Sequence, residues 1–130
     1  MDKFRIGLAL GSGAARGWAH IGVLRAFSEL GIAPDVVCGT SVGALVGGFH
    51  LAGSLDILEN WARRLTQLKM FRYLDFRLSG KGLIAGNRLF AEMEKHLADT
   101  MIEDLPLPFA SVATDLDTGH EVWMTEGRLV

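Results

Sequence analysis

The stretch "DVVCGTSVGAL", at positions 35–45, restricts the fold of this chain more than any other. Its first half, Asp35–Gly39, is a short apolar run of the kind that forms a buried strand. From Val42 to Ala52 the residues are small and apolar, and they predict a helix. A strand must therefore turn into a helix within a few residues, and Ser41 lies at the corner.

The preceding segment predicts the same order of elements. Phe4–Leu10 is an apolar run that ends at a glycine, which indicates a buried strand. Between Trp18 and Leu30 apolar residues recur at helical spacing, and Gly31 is suited to end that helix. The order strand, helix, strand, helix is typical of an α/β fold with a parallel sheet and helical crossovers.

The second half of the chain predicts two further helices and a hairpin. In all of the predicted helices, apolar residues at helical spacing are expected to face the core. They include Leu30 in the first helix and Ile57 and Phe90 in the two later ones. No repeat or linker interrupts the sequence, so residues 1–130 are interpreted as one domain. In order, the predicted elements are a helix capped by Ser54 and reaching about Leu68, a glycine-rich loop at Ser79–Gly86, a helix capped by Asn87 and reaching about Ala98, and strands at Phe109–Thr114 and Glu121–Thr125 joined through Asp117-Thr118-Gly119.

Composition and charge exclude several classes of function. With 130 residues, of which 49% are apolar and 22% charged, the chain has the balance of one small globular domain. Thirteen basic and fifteen acidic side chains give a net charge of -2 without a basic run, so nucleic acid is not an expected partner. The single cysteine, Cys38, allows no disulfide framework and fits a reducing compartment.

The N-terminus does not predict export or membrane insertion. Lys3 and Arg5 precede an apolar stretch as they would in a signal peptide, but that stretch, Ile6–Leu10, is too short for one. No window approaches the roughly 18 apolar residues that a membrane-spanning helix needs. We therefore expect a soluble, cytoplasmic protein.

The pentapeptide "GTSVG", Gly39–Gly43, has the pattern G-x-S-x-G in the strand-to-helix context of a nucleophile elbow. A turn this sharp holds its corner residue in a strained conformation, and glycines on either side avoid collisions there. Ser41 then projects at the carboxyl end of the sheet, where the helix N-terminus favours developing negative charge. The alternative is a tight turn with an inert serine, and the flanking strand and helix favour the nucleophile.

A second motif, "GSGAARG" at Gly11–Gly17, supplies groups that a nucleophilic serine needs. This loop of small residues follows a strand, and four of its main-chain N–H groups are candidates to bind an oxyanion: those of Gly11, Ser12, Gly13 and Ala14. The loop and the elbow follow neighbouring parallel strands, so both are expected at one edge of the sheet. A dinucleotide-binding turn is disfavoured, because the third glycine comes one position late and the second strand ends without an acidic residue for a ribose.

These motifs resemble the patatin-like phospholipase family, especially its bacterial members related to the neuropathy target esterase catalytic domain. The resemblance is carried by "LGSGAARGWAHIGVL" at 10–24, "GTSVGAL" at 39–45 and "VATDLDTGHEVW" at 112–123. It implies a three-layer α/β/α fold with a mainly parallel sheet, and a serine hydrolase that cleaves acyl esters of lipids with a Ser-Asp dyad. It implies no metal and no cofactor. We expect an acyl ester as the substrate, with transient contact to a membrane surface.

Position by position, the resemblance assigns roles to the two loops. Ser41 corresponds to the nucleophile, the main chain around Gly13 and Ala14 to the oxyanion loop, and Arg16 and Gly17 to the basic residue and the glycine that close that loop. This chain has serine and alanine, at positions 12 and 14, where the family commonly has glycine. Their β-carbons disfavour positive φ, while the N–H donors are kept.

The dyad aspartate of the family belongs to an Asp-Gly-Gly or Asp-Gly-Ala motif, which this chain does not contain. Asp115 and Asp117 are not its equivalents, because they lie in a segment that predicts a turn. We therefore expect the N-terminal portion of a longer enzyme, truncated before that aspartate. Such a chain is expected to hydrolyse esters poorly for lack of a base, and to self-associate through an open sheet edge.

Two other functions fit part of the sequence. An α/β-hydrolase triad would use Ser41, Asp115 or Asp117, and His120, which occur in the order of that fold. An acid and a histidine so close together on one hairpin align poorly with a distant serine. A non-catalytic acyl-binding or regulatory module would keep the elbow and the loop without a base.

The other three histidines show no metal-ligand spacing, and His20 is expected to be a packed or capping residue.

Overall fold

The computed structural model describes residues 4–65 and 87–130, which contain four strands. These are β1 (Gly7–Leu10), β2 (Val36–Gly39), β3 (Phe109–Thr114) and β4 (Glu121–Met124). They form one sheet in the order β1-β2-β3-β4, in which the first three strands are parallel and β4 is antiparallel to β3. The predicted α/β fold with a mainly parallel sheet is confirmed.

Helices make the crossovers between the parallel strands. A 3-10 helix, Ala14–Trp18, and α1 (Ala19–Glu29) connect β1 to β2. Between β2 and β3 the described helices are α2 (Val42–Leu51), α3 (Leu55–Arg63) and α4 (Asn87–Leu97). The predicted glycine-rich loop and the predicted end of the third helix near position 68 lie outside the described residues.

Helix α2 packs directly on one face of the sheet. A β-carbon built at Gly47 would lie 3.1 Å from a ring carbon of Phe109, 3.2 Å from a methyl of Leu10 and 3.3 Å from a methyl of Val37. The three contacted side chains are buried, and the strand register places them on the same face. The absence of a side chain at this position therefore lets the helix lie close to the strands, which determines where its N-terminus, and Ser41, are held.

The other side of α2 is covered by the remaining described helices. One apolar cluster joins all four of them, and a fully buried phenylalanine of α2 is at its centre. This double burial explains why α2 is apolar on all sides rather than amphipathic. The buried members of the cluster are Ile21, Leu24, Val46, Phe49, Leu55, Leu58, Met93 and Leu97.

The opposite face of the sheet is open within the described part of the chain. Val36 points to that face because it precedes Val37, which packs on α2. Trp123 points there because it pairs with Val112, three residues after the inward-facing Phe109, and the tryptophan is 55% exposed. The described helices thus form one layer on one side of the sheet. The second helical layer of a three-layer arrangement stays a prediction.

Two of the predicted helix ends can be compared with the structure. Gly31 ends α1 as expected, because it has a φ of +68° and the N–H of Ile32 donates to the Phe27 carbonyl at 2.8 Å. The predicted side-chain cap of α3 is wrong. The Ser54 hydroxyl points back to the Ala52 carbonyl at 3.4 Å, because the ψ of 20° at this residue turns it away from the helix.

Three apolar residues that the helical spacing assigned to the core are exposed instead. Leu30 is 72% exposed, Phe90 is 55% exposed and Ile57 is 40% exposed. Each lies at the edge or end of an apolar stripe whose central members are buried. A stripe therefore identifies the inward side of a helix, whereas the extent of the neighbouring elements decides how much of the stripe is covered. Strand β1 also begins later than predicted, and Phe4 is exposed.

Charged side chains tie α1 to α3. Arg25 pairs with Asp56 and with Glu59, and Arg63 bonds to the same Glu59 carboxylate at 2.7 Å. Hydrogen bonds from Arg63 and then from Arg25 lower the pKa of Glu59. The charge of Arg25 also acts on His50, whose half-buried ring has a pKa below its ordinary value of 6.5, with burial as the larger cause.

The lowered pKa of His50 predicts a loss of stability in mild acid. In the unfolded chain the ring binds a proton near its ordinary pKa of 6.5, whereas the folded protein resists that proton. Stability is therefore full above this pH and falls as the pH drops through it. We expect the urea midpoint of His50→Gln to change less than that of the wild type between about pH 7.5 and about pH 5.5.

The exposed His96 provides the matched control for this measurement. His96→Gln, which changes an exposed histidine of α4, should keep the full pH dependence of the wild type. Equal pH dependence in His50→Gln and the wild type would show that His50 does not contribute.

Candidate active site

Ser41 lies at the corner that the sequence predicts between β2 and α2. Its φ of 54° and ψ of -126° are unusual for a residue with a side chain, and such a conformation costs about 1–3 kcal/mol. The residue is exposed and occupies the N-cap position of α2, yet its hydroxyl makes no capping bond to the helix. Within the described residues the hydroxyl has no hydrogen-bond partner, so it is available to a ligand.

Close backbone contacts hold this corner on both sides. A β-carbon at Gly39 would lie 2.6 Å from the Ala44 nitrogen, and one at Gly43 would lie 2.1 Å from the Leu10 oxygen and 2.5 Å from the Gly11 oxygen. Real β-carbons are essentially never this close to backbone atoms. Both glycines of the G-x-S-x-G pattern are therefore required by packing, and the second one presses the elbow against the end of β1.

The Gly43 contact predicts a large effect from a single methyl group. Gly43→Ala should lower the free energy of unfolding by at least about 3 kcal/mol, because backbone must move to admit the β-carbon. The matched control is Gly22→Ala in α1, where nothing lies within 4 Å of the new β-carbon. That change should raise stability by about 0.5–1 kcal/mol through helix propensity. Urea unfolding measures both, and a Gly43→Ala protein as stable as the wild type would contradict the contact.

Thr40 connects the elbow to both neighbouring strands. Its N–H donates to the Leu10 carbonyl at 3.1 Å, and its hydroxyl donates to the Val112 carbonyl of β3 at 2.9 Å. Backbone pairing between β2 and β3 ends at Gly39, opposite Ser111. The threonine hydroxyl therefore continues the link between these strands where the backbone turns away. Sequence analysis missed this residue, although a hydroxyl side chain next to the serine is its visible signal.

Replacing Thr40 tests this link. Thr40→Val removes the donor at nearly constant volume and should cost about 1 kcal/mol of stability, because the Val112 carbonyl loses its partner. Thr40→Ser keeps the hydroxyl and should recover most of that loss. The measurement is again urea unfolding, and equal losses in the two variants would show that the methyl group matters rather than the hydrogen bond.

The glycine-rich loop has the open N–H groups that an oxyanion site needs. Gly13 has a φ of +152° and Ala14 a φ of 46°, so the alanine does adopt the positive φ that its β-carbon disfavours. The Gly13 carbonyl accepts from the Arg16 N–H at 2.9 Å. In the described part of the chain, the N–H groups of Ser12, Gly13 and Ala14 donate to no other group, and all three residues are exposed.

The loop returns to the elbow at its far end. Gly17 is buried against Val42, the first residue of α2, and a β-carbon there would lie 2.9 Å from the valine side chain. Arg16 is exposed and lies in the 3-10 helix. Loop and elbow therefore touch at both ends of the loop, through Gly11 with Gly43 and through Gly17 with Val42. The structure brings these predicted site residues to one edge of the sheet, while their catalytic roles stay predictions.

The acidic residues of the rival triad serve the β3–β4 turn. The Asp115 carboxylate accepts the N–H groups of Asp117 and Thr118, each at 2.9 Å. Hydrogen bonds from the backbone and hydroxyl of Thr118, and from the backbone of Asp117, lower the pKa of Asp115. Asp115 follows Ser111, the residue level with Gly39, by four positions, or about 13 Å of strand. The turn role predicted for this segment is what the structure shows.

The described residues contain neither a metal-ligand cluster nor a membrane-spanning helix. Among residues 4–65 and 87–130, no group of three or more His, Cys, Asp or Glu side chains is placed to hold a metal ion. Over the same ranges, no helix has the length and apolar character needed to cross a membrane. Cys38 is a free thiol within β2.

Residues 8–128 match the family model described as patatin-like phospholipase. The chain belongs to the patatin-like phospholipase family. The resemblance predicted from the sequence motifs is thereby confirmed, and the match includes both the glycine-rich loop and the elbow. The observed sheet, with three parallel strands and helical crossovers, is consistent with the fold of a patatin-like domain.

Several relatives of this patatin-like domain are considerably longer proteins. The chain is 44% identical over 125 residues to an NTE family protein of Mycobacterium tuberculosis, covering 96% of the chain and 35% of that protein. It is 33% identical over 129 residues to the neuropathy target esterase of Drosophila melanogaster, covering 95% of the chain and 9% of that protein. A patatin-like phospholipase domain-containing protein of Caenorhabditis elegans is 35% identical over 120 residues, 88% of the chain and 9% of that protein. The chain thus spans about a third of the mycobacterial relative and about a tenth of the other two.

Proposed function

We propose that this protein is a serine acyl hydrolase that acts on acyl esters of lipids, with Ser41 as its nucleophile. The observation that carries the proposal is the strained, exposed Ser41, whose hydroxyl serves no structural role among the described residues. Strain at a residue with a side chain persists where surrounding packing imposes it, and it is concentrated at functional sites. Gly39 and Gly43 supply that packing here.

The proposed reaction has two steps. The Ser41 oxygen attacks the ester carbonyl carbon, and its proton passes through a base to the departing alcohol as the ester C–O bond breaks. Water then attacks the acyl-enzyme, releasing the carboxylic acid and restoring the serine. In both steps the carbonyl oxygen becomes negatively charged and accepts hydrogen bonds from the N–H groups of Ser12, Gly13 and Ala14. Loss of one such donor typically raises the activation barrier by about 3–4 kcal/mol.

The general base of this reaction is proposed to lie outside these 130 residues. Family membership supports a Ser-Asp dyad, and the chain contains neither Asp-Gly-Gly nor Asp-Gly-Ala. The Asp115 carboxylate is already engaged by its own turn. Relatives of which this chain covers only 35% have room for a later aspartate.

A lipid ester as substrate is supported by the names of the family and of its members, which are phospholipases and esterases. Contact with a membrane surface is part of the same proposal. Leu116 supports it, because this residue of the β3–β4 turn is 71% exposed at the edge of the sheet that carries Ser41. Self-association through an open edge of the sheet is also a proposal.

A fluorophosphonate probe tests the nucleophile directly, since an Oγ–P bond forms as fluoride leaves. In a protein that includes the proposed base, we expect Ser41 to be labelled in the wild type and no labelling in Ser41→Ala. Ser28→Ala, which alters an exposed serine of α1, is the matched control and should be labelled like the wild type. In a protein that includes the proposed base, Ser41→Ala should reduce esterase activity by orders of magnitude. Retention of more than about a tenth of the activity would refute the assignment, because a tenfold loss corresponds to only about 1.4 kcal/mol of activation barrier.

The same assays separate the two alternative functions. Tight fatty-acid binding without labelling of Ser41 would favour an acyl-binding module. Ester hydrolysis by the 130-residue chain that is lost in Asp115→Ala, Asp117→Ala or His120→Ala would favour an α/β-hydrolase triad.

A further inference from the structure

His20 makes a hydrogen bond to the glycine-rich loop that no role above accounts for. It is the second residue of α1, its ring is half-buried, and its Nε2 atom lies 2.8 Å from the Gly11 carbonyl oxygen. A carbonyl oxygen can only accept, so the proton must be on Nε2. The ring therefore donates to a residue nine positions earlier in the chain rather than to its own helix.

The Gly11 carbonyl that accepts this bond also packs against the elbow. A β-carbon built at Gly43, two residues after Ser41, would be 2.5 Å from the same Gly11 oxygen. The preceding carbonyl, of Leu10, accepts the N–H of Thr40. Two consecutive carbonyl oxygens at the end of β1 thus lie against the buried Gly43, and His20 donates a hydrogen bond to the second of them.

The direction of the Gly11 carbonyl also determines the direction of a candidate oxyanion donor. The carbonyl of Gly11 and the N–H of Ser12 belong to one planar peptide unit, and the described residues contain no cis peptide bond. In a trans unit these two groups point in opposite directions, so a bond that holds one also aims the other. The Gly13 to Ala14 unit is held in the same way by the Arg16 N–H.

We infer that His20 is a positioning residue: by donating from Nε2 to the Gly11 carbonyl, it aims the Ser12 N–H at the substrate carbonyl oxygen. The inference rests on the proposed function of the loop as an oxyanion site. His20 acts through Gly11, because that carbonyl is the one group to which its ring bonds within the described residues. Its role is therefore distinct from that of a catalytic base.

Two substitutions of His20, one that keeps its N–H donor and one that keeps its ring, test this role. His20→Gln places an amide N–H near the position of Nε2, whereas His20→Phe keeps a ring without a donor. We expect the rate of Ser41 labelling by a fluorophosphonate to fall about tenfold or more in His20→Phe, and to stay within about threefold of the wild type in His20→Gln. His96→Phe, at an exposed position, is the matched control and should label like the wild type.

A second measurement reports on the loop without relying on reactivity. In ¹⁵N-labelled protein, the amide resonance of Ser12 should shift in His20→Phe and return towards its wild-type position in His20→Gln. If His20→Phe fails to fold by circular dichroism, His20→Met, which matches glutamine in length and lacks its donor, takes its place.

The outcomes distinguish the inference from the function on which it rests. Wild-type labelling rates in the variant that lacks the donor, or an unchanged Ser12 resonance in it, would overturn the role of His20. Failure of the probe to label a wild-type protein that includes the proposed base would overturn the nucleophile instead, and the Ser12 resonance would still decide whether His20 positions the loop.

Discussion

The contact between the α-carbon of Gly43 and the carbonyl oxygens of Leu10 and Gly11 is the constraint on which the rest of this structure depends. Any side chain at that position would come within 2.1 Å of backbone. Because Gly43 has no side chain, the first turn of α2 packs directly on the end of β1. The glycine-rich loop and the elbow, which follow neighbouring strands, therefore meet at one edge of the sheet. Serine hydroxyl and loop amides are held together by backbone packing rather than by bonds between their side chains.

Packing of α2 offsets the strain that this contact requires. The conformation of Ser41 costs about 1–3 kcal/mol. Val46 and Phe49, further along α2, are fully buried between sheet and helices, and full burial of one such side chain contributes about 1.5–3 kcal/mol. The burial of each side chain is thus of the same order as the strain at Ser41. The core of the domain and the geometry of its site are in this sense a single arrangement.

Hydrogen bonds to three backbone carbonyls refine what the packing begins. Thr40 ties the elbow to β3, His20 holds the Gly11 carbonyl, and the Arg16 N–H holds that of Gly13. The groups next to these bonds have no partner within the described residues. Next to Thr40 this group is the Ser41 hydroxyl, and in the glycine-rich loop the groups are the N–H donors proposed for the oxyanion. A site organised before substrate binds stabilises developing charge without reorganising in the reaction. The proposed ester hydrolysis depends on such preorganisation.

The sequence by itself determined the features that depend on local chemistry. Strands, the glycine that ends α1 and the two glycine-rich turns follow from patterns within ten or so residues, which is why the elbow at Gly39–Gly43, the loop at Gly11–Gly17 and the α/β class could be predicted. Tertiary structure decided which parts of the helical stripes are covered, leaving Leu30 and Phe90 exposed. It also decided the partners of Thr40 and His20, the former 72 positions away. Such pairings depend on the register of distant strands and the packing of α2 on the sheet, which no local pattern of residue types specifies.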